Sequence, residues 1–533
     1  KRFCEPNGKR DRSRAVFFVS CQLKKAGISD DQVYAIVTDP KFGISESILE
    51  KGASSERQAL RAVERGTWAA ECPELDELNT KHAVISSMGG KCVVIQEEKS
   101  EDLGRTALTV SSFEDIRNRY SNRQVLIGTK PTKGGGQEPV YQKLGSFWLD
   151  HPMRLQYESV VFMPGRDDIT EHYNLWRGFA VEAIEGDCSA YLDHLLNVVC
   201  SGNHLYYNYI LNWMAACVQR PAEQAEVCIV LKGEPGAGKG VVIREFGKLF
   251  GRHFLQILSA KQVTGQFNDH LRDCVVLFLD EAMYAGDPQG KNILKGLVTE
   301  DNLMVEKKGV DARQARNHLH IFMATNEDWA LSADPRERRY FVLNVPSTRL
   351  KDRDYWDALY TQMDNGGREA LLYMLKTRDI EGFAPRNYPD TEALHDQKIR
   401  SLSTIQEWWF NKLNNGQILP GHDKWTNPVI VERLVNDYLL YASKFSHRGR
   451  TSTATEMGIF FKKMVPGIET RKKTLRSRDD RTGHDIAARH NVYVFPPLEE
   501  CRAAWDAEFQ FQTKWPVEDT EDDSVPVTKE GGF

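Results

Sequence analysis

The sequence predicts an α/β protein built around a parallel sheet that carries a phosphate-binding loop. Apolar runs alternate with helix-like segments between residues 225 and 346, and continuous apolar strands are typical of a parallel sheet covered on both faces. A glycine-rich loop, Gly233–Lys239, follows the first apolar run, and two adjacent acids, Asp280 and Glu281, follow the second. The loop has a strand before it and a helix after it, which is the context that a phosphate loop requires.

The composition limits the classes of protein to which this chain can belong. At 533 residues and 41% hydrophobic, the chain exceeds the size at which one core keeps growing, so about three or four domains are expected. Its 70 basic and 75 acidic residues nearly cancel, so any DNA-binding surface must be local. Ten cysteines without a Cys-x-x-Cys pair argue against a zinc site and a disulfide framework. No apolar run approaches the roughly 20 residues of a membrane span, so we expect a soluble, cytoplasmic protein with no membrane partner.

The chain divides into segments of different pattern. Its first dozen residues are charged and linker-like, and residue 1 is Lys, so we expect an upstream domain to precede it. The predicted segments are a helical linker module at 1–72, a small α+β segment at 73–150, a helical segment at 151–222, the phosphate-loop core at 223–348, a helical linking segment at 349–427, a DNA-binding segment at 428–516 and a disordered acidic tail at 517–533.

The glycine-rich loop predicts nucleotide binding. Its glycines let backbone N–H groups curl around phosphate oxygens, and its lysine adds a positive charge at the β- and γ-phosphates. The predicted ATP-binding residues are Gly233, Glu234, Pro235, Gly236, Ala237, Gly238, Lys239 and Gly240. The bare pattern arises by chance on the order of 0.1 times in such a chain, so a helix-capping glycine turn is the alternative.

The acidic pair supplies the second part of the predicted site. The apolar strand Cys274–Leu279 ends in Asp280 and Glu281. Asp280 is predicted to hold Mg²⁺ and Glu281 to act on the attacking water. A strand that ends in solvated acids is the alternative, and the phosphate loop ahead of it makes that alternative the weaker one.

One position departs from the phosphate-loop pattern. Gly240 follows Lys239, where a Ser or Thr normally offers its hydroxyl to the metal. Mg²⁺ must then depend on Asp280, phosphate oxygens and water, which predicts that ATP hydrolysis needs unusually high Mg²⁺. The same departure leaves open a DNA-binding scaffold that has lost turnover.

Two further elements complete the predicted site. The apolar strand that begins at Leu319 ends in Asn326, which is predicted to position the attacking water or to sense the γ-phosphate; a turn-forming Asn is the alternative. Arg338 and Arg339 stand on a loop before the last strand. Their guanidinium groups are predicted to reach the nucleotide of a neighbouring subunit, against the alternative of a solvated basic turn.

The compact order of these four elements resembles the superfamily 3 helicases, the AAA+ hexameric motors of viruses and mobile elements. Between Asp280 and Asn326 these proteins carry a motif that leads into a DNA-contacting hairpin, and Leu303-Met-Val-Glu-Lys307-Lys308-Gly309 resembles it. The resemblance implies that Lys307 and Lys308 grip single-stranded phosphates; an exposed basic turn is the alternative. Gly309 stands where these hairpins often carry His, which leaves the base or sugar contact undefined.

The resemblance extends beyond the motor. Segment 145–221 is similar to the region before the motor in phage and poxvirus-type primase-helicases, which implies that 151–222 forms a ring collar and 223–348 the AAA+ core. Residues 1–72 resemble the linker that follows a primase-polymerase domain in those proteins. The expected upstream domain is therefore of that kind, since the chain itself shows no primase active-site motif.

The C-terminal segment predicts a second DNA contact. Two helix-like stretches and a strand-like one follow residue 428 in an order that suits a winged helix. Between residues 444 and 478 ten Lys or Arg stand against two acids, a local balance of +8. Arg471, Lys472 and Lys473 are the predicted DNA-binding residues, with a solvated basic surface as the alternative.

Together these observations favour an ATP-dependent, ring-forming DNA helicase, a hexamer that translocates on single-stranded and forked DNA in the replication of a phage or mobile element. ATP and Mg²⁺ are its predicted ligands. Lys239, Glu281, Asn326, Arg338 and Arg339 are its predicted catalytic residues. Two alternatives stay open: an AAA+ remodeller or loader without unwinding activity, and a catalytically weak DNA-binding scaffold.

Overall fold

The computed structural model describes residues 12–70, 72–100, 105–132, 135–265, 268–281, 288–307, 310–421, 425–444, 453–478 and 485–516. The chain forms two compact units, of which the first ends at Gly178 and the second begins at Phe179. The predicted acidic tail at 517–533 lies outside the described residues. In the described ranges no helix combines the length and the apolar character that a membrane crossing demands.

The first unit contains helices and strands, of which β1-β2, β2-β3 and β4-β5 pair antiparallel and β1-β6 and β7-β8 pair parallel. Its helices are α1 (Arg12–Lys25), α2 (Asp30–Thr38), α3 (Glu46–Leu49), α4 (Ser55–Ala70), α5 (Pro73–Lys81), α6 (Phe113–Arg119) and α7 (Leu144–Asp150). Its strands are β1 (His82–Met88), β2 (Lys91–Ser100), β3 (Arg105–Ser111), β4 (Gln124–Pro131), β5 (Gln137–Lys143), β6 (Gln156–Tyr157), β7 (Val160–Val161) and β8 (Tyr173–Asn174). The strands form a four-stranded sheet in the order β3-β2-β1-β6 and the pairs β4-β5 and β7-β8.

Segment 151–222 differs from the helical prediction in its first part. Residues 151–178 contain only the two-residue strands β6 to β8, and the first helix of the segment begins at Ser189. Pro152 and Pro164 lack the amide hydrogen that a helix interior requires. The buried Asn174 side chain instead holds this stretch together, since its Oδ1 accepts from the Met163 amide at 2.9 Å.

The second unit carries the predicted core. Its helices are α8 (Ser189–Asp193), α9 (His204–Gln219), α10 (Lys239–Lys248), α11 (Ala260–Thr264), α12 (Pro288–Thr299), α13 (Arg353–Gln362), α14 (Arg368–Thr377), α15 (Glu392–Arg400), α16 (Thr404–Asn415), α17 (Val431–Ser443), α18 (Ala454–Met464) and α19 (Leu498–Phe509). Its strands are β9 (Cys228–Lys232), β10 (Phe254–Ile257), β11 (Val276–Asp280), β12 (Asn302–Lys307), β13 (Val310–Arg316), β14 (His320–Thr325), β15 (Tyr340–Asn344), β16 (Val429–Ile430), β17 (Glu469–Arg478) and β18 (Asp485–Val494).

The prediction of a mixed α/β chain with a parallel sheet is confirmed. Five parallel strands pair in the order β10-β11-β14-β9-β15. All six residues of β14 are buried, and so are the first four residues of β9 and of β11. These strands are apolar on both faces because both faces of the sheet are covered.

The last part of the second unit has its own core. β16, β18 and β17 form a three-stranded antiparallel sheet, and α17 and α18 precede its β17-β18 hairpin. Large aromatic side chains fill the space between these elements, among them Trp408, Trp409, Tyr438, Phe461 and Trp505. The basic stretch of the sequence therefore lies partly on the strand β17.

Helix α9 is fixed to the central sheet by one tryptophan. The Trp213 indole is 1% exposed, its Nε1 donates to the Val227 carbonyl at 3.1 Å, and its ring centroid lies 4.8 Å from that of Phe322 on β14. Trp213 therefore combines a large buried area with a satisfied hydrogen bond.

Trp213→Ala is expected to lower the free energy of unfolding of the second unit by about 3–5 kcal/mol, because it leaves a cavity and an unpaired carbonyl. The measurement is urea denaturation followed by circular dichroism. Leu205→Ala is the control, since Leu205 lies on the same helix with 70% of its surface exposed and should change stability by less than about 0.5 kcal/mol. Equal midpoints for the two variants would contradict this role of Trp213.

Candidate active site

The carboxyl ends of three adjacent strands bring the predicted site residues together. β14 lies between β9 and β11, so the loop after β9, the acids at the end of β11 and Asn326 after β14 meet at one edge of the sheet. Lys239 Nζ donates to Asn326 Oδ1 at 3.0 Å and to the Glu234 carbonyl at 2.8 Å. Asn326 Nδ2 donates in turn to Glu281 Oε1. A chain of hydrogen bonds thus joins all three strand ends.

Glu281 is held in an uncommon backbone conformation. Its φ is 54°, in the left-handed region that non-glycine residues rarely adopt, and its amide donates to the Ala324 carbonyl at 2.9 Å. Such a conformation costs on the order of 1–3 kcal/mol and is concentrated at functional sites in proteins. In this conformation the exposed Glu281 carboxylate accepts a hydrogen bond from Asn326 Nδ2.

The loop itself requires glycine at two points. Gly233 has φ 157°, and a Cβ there would lie 2.4 Å from the Val345 carbonyl oxygen. Gly238 has φ 98°, and a Cβ there would lie 2.5 Å from His194 Cε1. No real Cβ approaches a neighbour so closely, so the loop can follow this path only with glycine at both positions.

A histidine behind the loop was missed by the sequence reasoning. His194 is fully buried, with Nδ1 2.8 Å from the Tyr355 hydroxyl and Nε2 3.3 Å from the Gly238 carbonyl oxygen. Burial lowers the pKa of His194 to about 4, so the ring is neutral at pH 7. It supports the loop from behind, and only the fold, which brings it beside Gly238, reveals this contact.

The surroundings of Lys239 lower the pKa of its amine. Burial lowers the pKa of its amine, while the nearby Glu281 and Asp280 carboxylates raise it. The first effect is the larger, because the side chain is removed from water among backbone carbonyls. An anion that binds next to Lys239 would therefore interact strongly with its ammonium group.

Two side chains contact Asp280 that the sequence did not single out. Gln256 Nε2 donates to Asp280 Oδ2 at 2.8 Å, and Arg244 Nη1 lies 3.8 Å from the same oxygen. In the described part of the chain no three His, Cys, Asp or Glu side chains are grouped so that they could hold a metal ion. Asp280 thus belongs to a polar cluster that contains few carboxylates.

The two predicted arginine fingers have different surroundings. Arg339 Nη1 lies 3.2 Å from Glu337 Oε1, and the Glu337 side chain is fully buried. The same carboxylate oxygen accepts from the Arg338 and Arg339 amides. The Arg338 side chain is exposed, and among the described residues it has no side-chain hydrogen bond or ion pair. Arg338 is therefore the better placed of the two to reach another molecule.

The sequence also placed two lysines on a hairpin, and strands β12 and β13 form one. They pair antiparallel, and Lys307 is opposite Val310 at the tip; Lys308 and Gly309 lie outside the described residues. Asn268 holds the β12 edge of this hairpin. Its Oδ1 accepts from the Glu306 amide at 2.9 Å, and its Nδ2 donates to the Met304 carbonyl at 2.8 Å.

The predicted DNA-binding residues of the C-terminal segment follow one another along β17. Arg471, Lys472 and Lys473 are exposed and pair in register with residues 492, 491 and 490 of β18. Side chains alternate between the two faces of a strand, so Arg471 and Lys473 share one face and Lys472 lies on the other. Arg471 also forms an ion pair with Glu469.

Comparisons with known proteins relate part of this chain to a phage protein. A family model described as a family of unknown function (DUF5906) matches residues 231–339, the stretch from β9 to the arginine loop. A DNA primase-polymerase of Nitratiruptor phage NrS-1 is 24% identical over 241 residues, which cover 43% of this chain and 32% of that protein. The match thus spans about a third of the relative's length. The chain is homologous to a phage primase-polymerase over this part.

Solved structures of the NrS-1 C-terminal region share the fold. Its apo structure, residues 305–718, superposes with a TM-score of 0.53 at 14% identity and covers 80% of this chain and 100% of that region. The A form of the apo structure gives the same TM-score and covers 79% and 98%.

Asn268→Ala is expected to loosen the β12-β13 hairpin, because it removes both side-chain hydrogen bonds to the β12 edge, while the bond from the Asn268 amide to the Glu306 carbonyl remains. Hydrogen exchange should become faster at the Glu306 amide. Asn302→Ala is the matched control: it lies on the same hairpin with an exposed side chain that forms no hydrogen bond to the described residues. Unchanged protection of Glu306 in the Asn268 variant would show that the hairpin is held by other contacts.

Proposed function

We propose that this protein is a P-loop ATPase of the AAA+ superfamily 3 type that drives DNA unwinding in phage-type replication. The observation that carries the proposal is the hydrogen-bond chain from Lys239 through Asn326 to Glu281. It joins a phosphate-binding amine, a polar amide and a general-base carboxylate at the carboxyl edge of a parallel sheet, where ligands of such sheets bind.

ATP is the substrate that suits this edge. The glycine loop and the amino-terminal end of α10 offer backbone N–H groups to phosphate oxygens, as in other phosphate loops. Lys239 would exchange its carbonyl partners at Gly233 and Glu234 for the β- and γ-phosphates. Glu281 would accept a proton from the attacking water, and Asn326 would hold that water in line.

Mg²⁺ fits one side of the same cluster. The Asp280 carboxylate is a hard oxygen ligand at the end of β11 with a partly exposed side chain, and Asp280 is the residue that would hold the ion. When bound, the ion would supply positive charge that compensates the negative charge developing on the phosphate groups. Gly240 contributes no hydroxyl, so water and phosphate oxygens would complete the coordination.

Ring formation would complete the site. Arg338 is exposed and Arg339 is tied to the buried Glu337, so we assign the arginine finger to Arg338, acting on the nucleotide of the next subunit. A hexamer is the assembly that the superfamily 3 resemblance implies. The β12-β13 hairpin would then carry Lys307 and Lys308 to single-stranded DNA, and the β17-β18 hairpin would carry Arg471, Lys472 and Lys473 to a second DNA contact.

The phage relative supports a role in DNA replication. The homologous protein is described as a DNA primase-polymerase, and the solved structures that share this fold are of its C-terminal region. We therefore propose that the present chain acts together with a primase-polymerase activity in replication.

Glu281→Gln is expected to lower the ATPase rate by about 10²–10⁴-fold, because it removes the general base while it preserves the hydrogen bond from Asn326. Binding of ATP, measured by isothermal titration calorimetry, should be nearly unchanged. Glu327→Gln is the control, since Glu327 is exposed beside Asn326 and loses the same charge; its rate should match that of the wild type.

The alternatives predict different results in the same assays. A scaffold that has lost turnover would leave wild type and Glu281→Gln equally inactive with and without single-stranded DNA. A remodeller or loader would hydrolyse ATP, and its ATPase activity would be lost in Glu281→Gln. The wild type of such a protein would nevertheless fail to displace a strand from forked DNA.

Lys307→Ala combined with Lys308→Ala is expected to weaken stimulation of the ATPase by single-stranded DNA. Loss of two phosphate contacts should also reduce the slope of log affinity against log salt by about 1.4, because each single-strand contact contributes about 0.7. Lys41→Ala with Lys51→Ala removes two other exposed lysines and serves as the charge-matched control. An equal loss of slope in both pairs would argue against a specific role of the hairpin.

A further inference from the structure

The roles proposed so far leave one cation of the site unused. Arg244 lies on α10 one turn after Gly240, and its Nη1 is 3.8 Å from Asp280 Oδ2. Residues four apart occupy the same face of a helix. The guanidinium therefore lies over Gly240 and beside the carboxylate that is assigned to the metal.

Gly240 provides the space that this guanidinium fills. A Cβ at position 240 would lie 2.6 Å from Arg244 Nη1 and 3.0 Å from its Cζ and Nη2. A serine or threonine there would bring its side chain into the same volume and push the flexible arginine away. Where a phosphate loop normally presents a metal-binding hydroxyl, this chain presents a group that is always positively charged.

The charge balance of the cluster changes with this arginine. Lys239 and Arg244 together neutralise Asp280 and Glu281, whereas without Arg244 one negative charge would remain. A polyphosphate that approaches the loop is repelled by an uncompensated carboxylate, and Mg²⁺ ordinarily removes that repulsion. The Arg244 side chain is 41% exposed, so it also has N–H groups available to phosphate oxygens, for which a guanidinium is well suited.

Building on the proposed ATP-binding function, we infer that Arg244 takes over the role of the metal in nucleotide binding. Its guanidinium neutralises Asp280 and donates to a phosphate group of the bound nucleotide. The site consequently binds nucleoside di- and triphosphates without Mg²⁺, in addition to their magnesium complexes.

The experiment measures binding and is independent of turnover. Wild type and Arg244→Gln are titrated with ADP by isothermal titration calorimetry, once with Mg²⁺ and once with EDTA. The wild type is expected to bind ADP in both buffers with similar affinity. Arg244→Gln is expected to bind metal-free ADP at least about tenfold more weakly, because a charge-assisted hydrogen bond is lost, and to lose much less affinity for the magnesium complex.

Two further variants keep the test specific. Gly240→Ser should displace the guanidinium and offer a hydroxyl, so it should raise the dependence on Mg²⁺ in the same direction as Arg244→Gln. Arg433→Gln removes one exposed guanidinium from α17, away from this helix, and should behave as the wild type.

The outcomes separate the two proposals. If the wild type binds ADP only with Mg²⁺, and Arg244→Gln shows the same ratio of affinities, the role of Arg244 is refuted and the ATPase proposal stands. If the folded wild type binds neither ADP nor ATP in either buffer, the ATPase proposal fails, and the role of Arg244 fails with it.

Discussion

The register of three buried parallel strands is the constraint on which the candidate site depends. Lys232 on β9 pairs with Thr325 on β14, and Asp280 on β11 pairs with Ala324 on β14. The loop, the acidic pair and Asn326 therefore leave the sheet within two residues of one another. A slip of one residue would move a strand end by about 3.3 Å along the sheet and turn its side chains to the opposite face, so the packing of the core and the geometry of the site are specified together.

Electrostatics then decide what this edge can accept. Lys239 loses hydration in the loop and is compensated by carbonyl and amide oxygens, which are weaker partners for an ammonium group than phosphate is. The strained backbone of Glu281 keeps a carboxylate near the end of the same chain of hydrogen bonds. A triphosphate would thus find its cation already in position, with a base held apart from it by the amide of Asn326.

The sequence predicted the parts of the fold whose signals are local. Four continuous apolar runs predicted the strands β9, β11, β14 and β15. The glycine loop follows the first of these runs, and the two acids follow the second. The sequence did not predict the contacts of Gln256 and Arg244 with Asp280, or the contact of His194 with the loop. These residue types are common, and only the fold determines which partners they meet. The helical prediction for 151–222 fits the part from Ser189 to Gln219, but 151–178 contains only the short strands β6 to β8, where Pro152 and Pro164 disfavour a helix. The functional roles of all the predicted site residues stay predictions.

Gly240 lacks the hydroxyl that normally binds the metal, and in the fold it also makes room for the Arg244 guanidinium. If a guanidinium already compensates Asp280, nucleotide can bind without a metal, but Mg²⁺ must displace or share that arginine before it reaches the carboxylate. Binding and hydrolysis would then differ in their need for Mg²⁺: binding would be insensitive to it, and turnover would rise with Mg²⁺ concentrations above the ordinary range. The same residue pair would then account both for the expected weakness of the metal site and for nucleotide binding that does not need the metal.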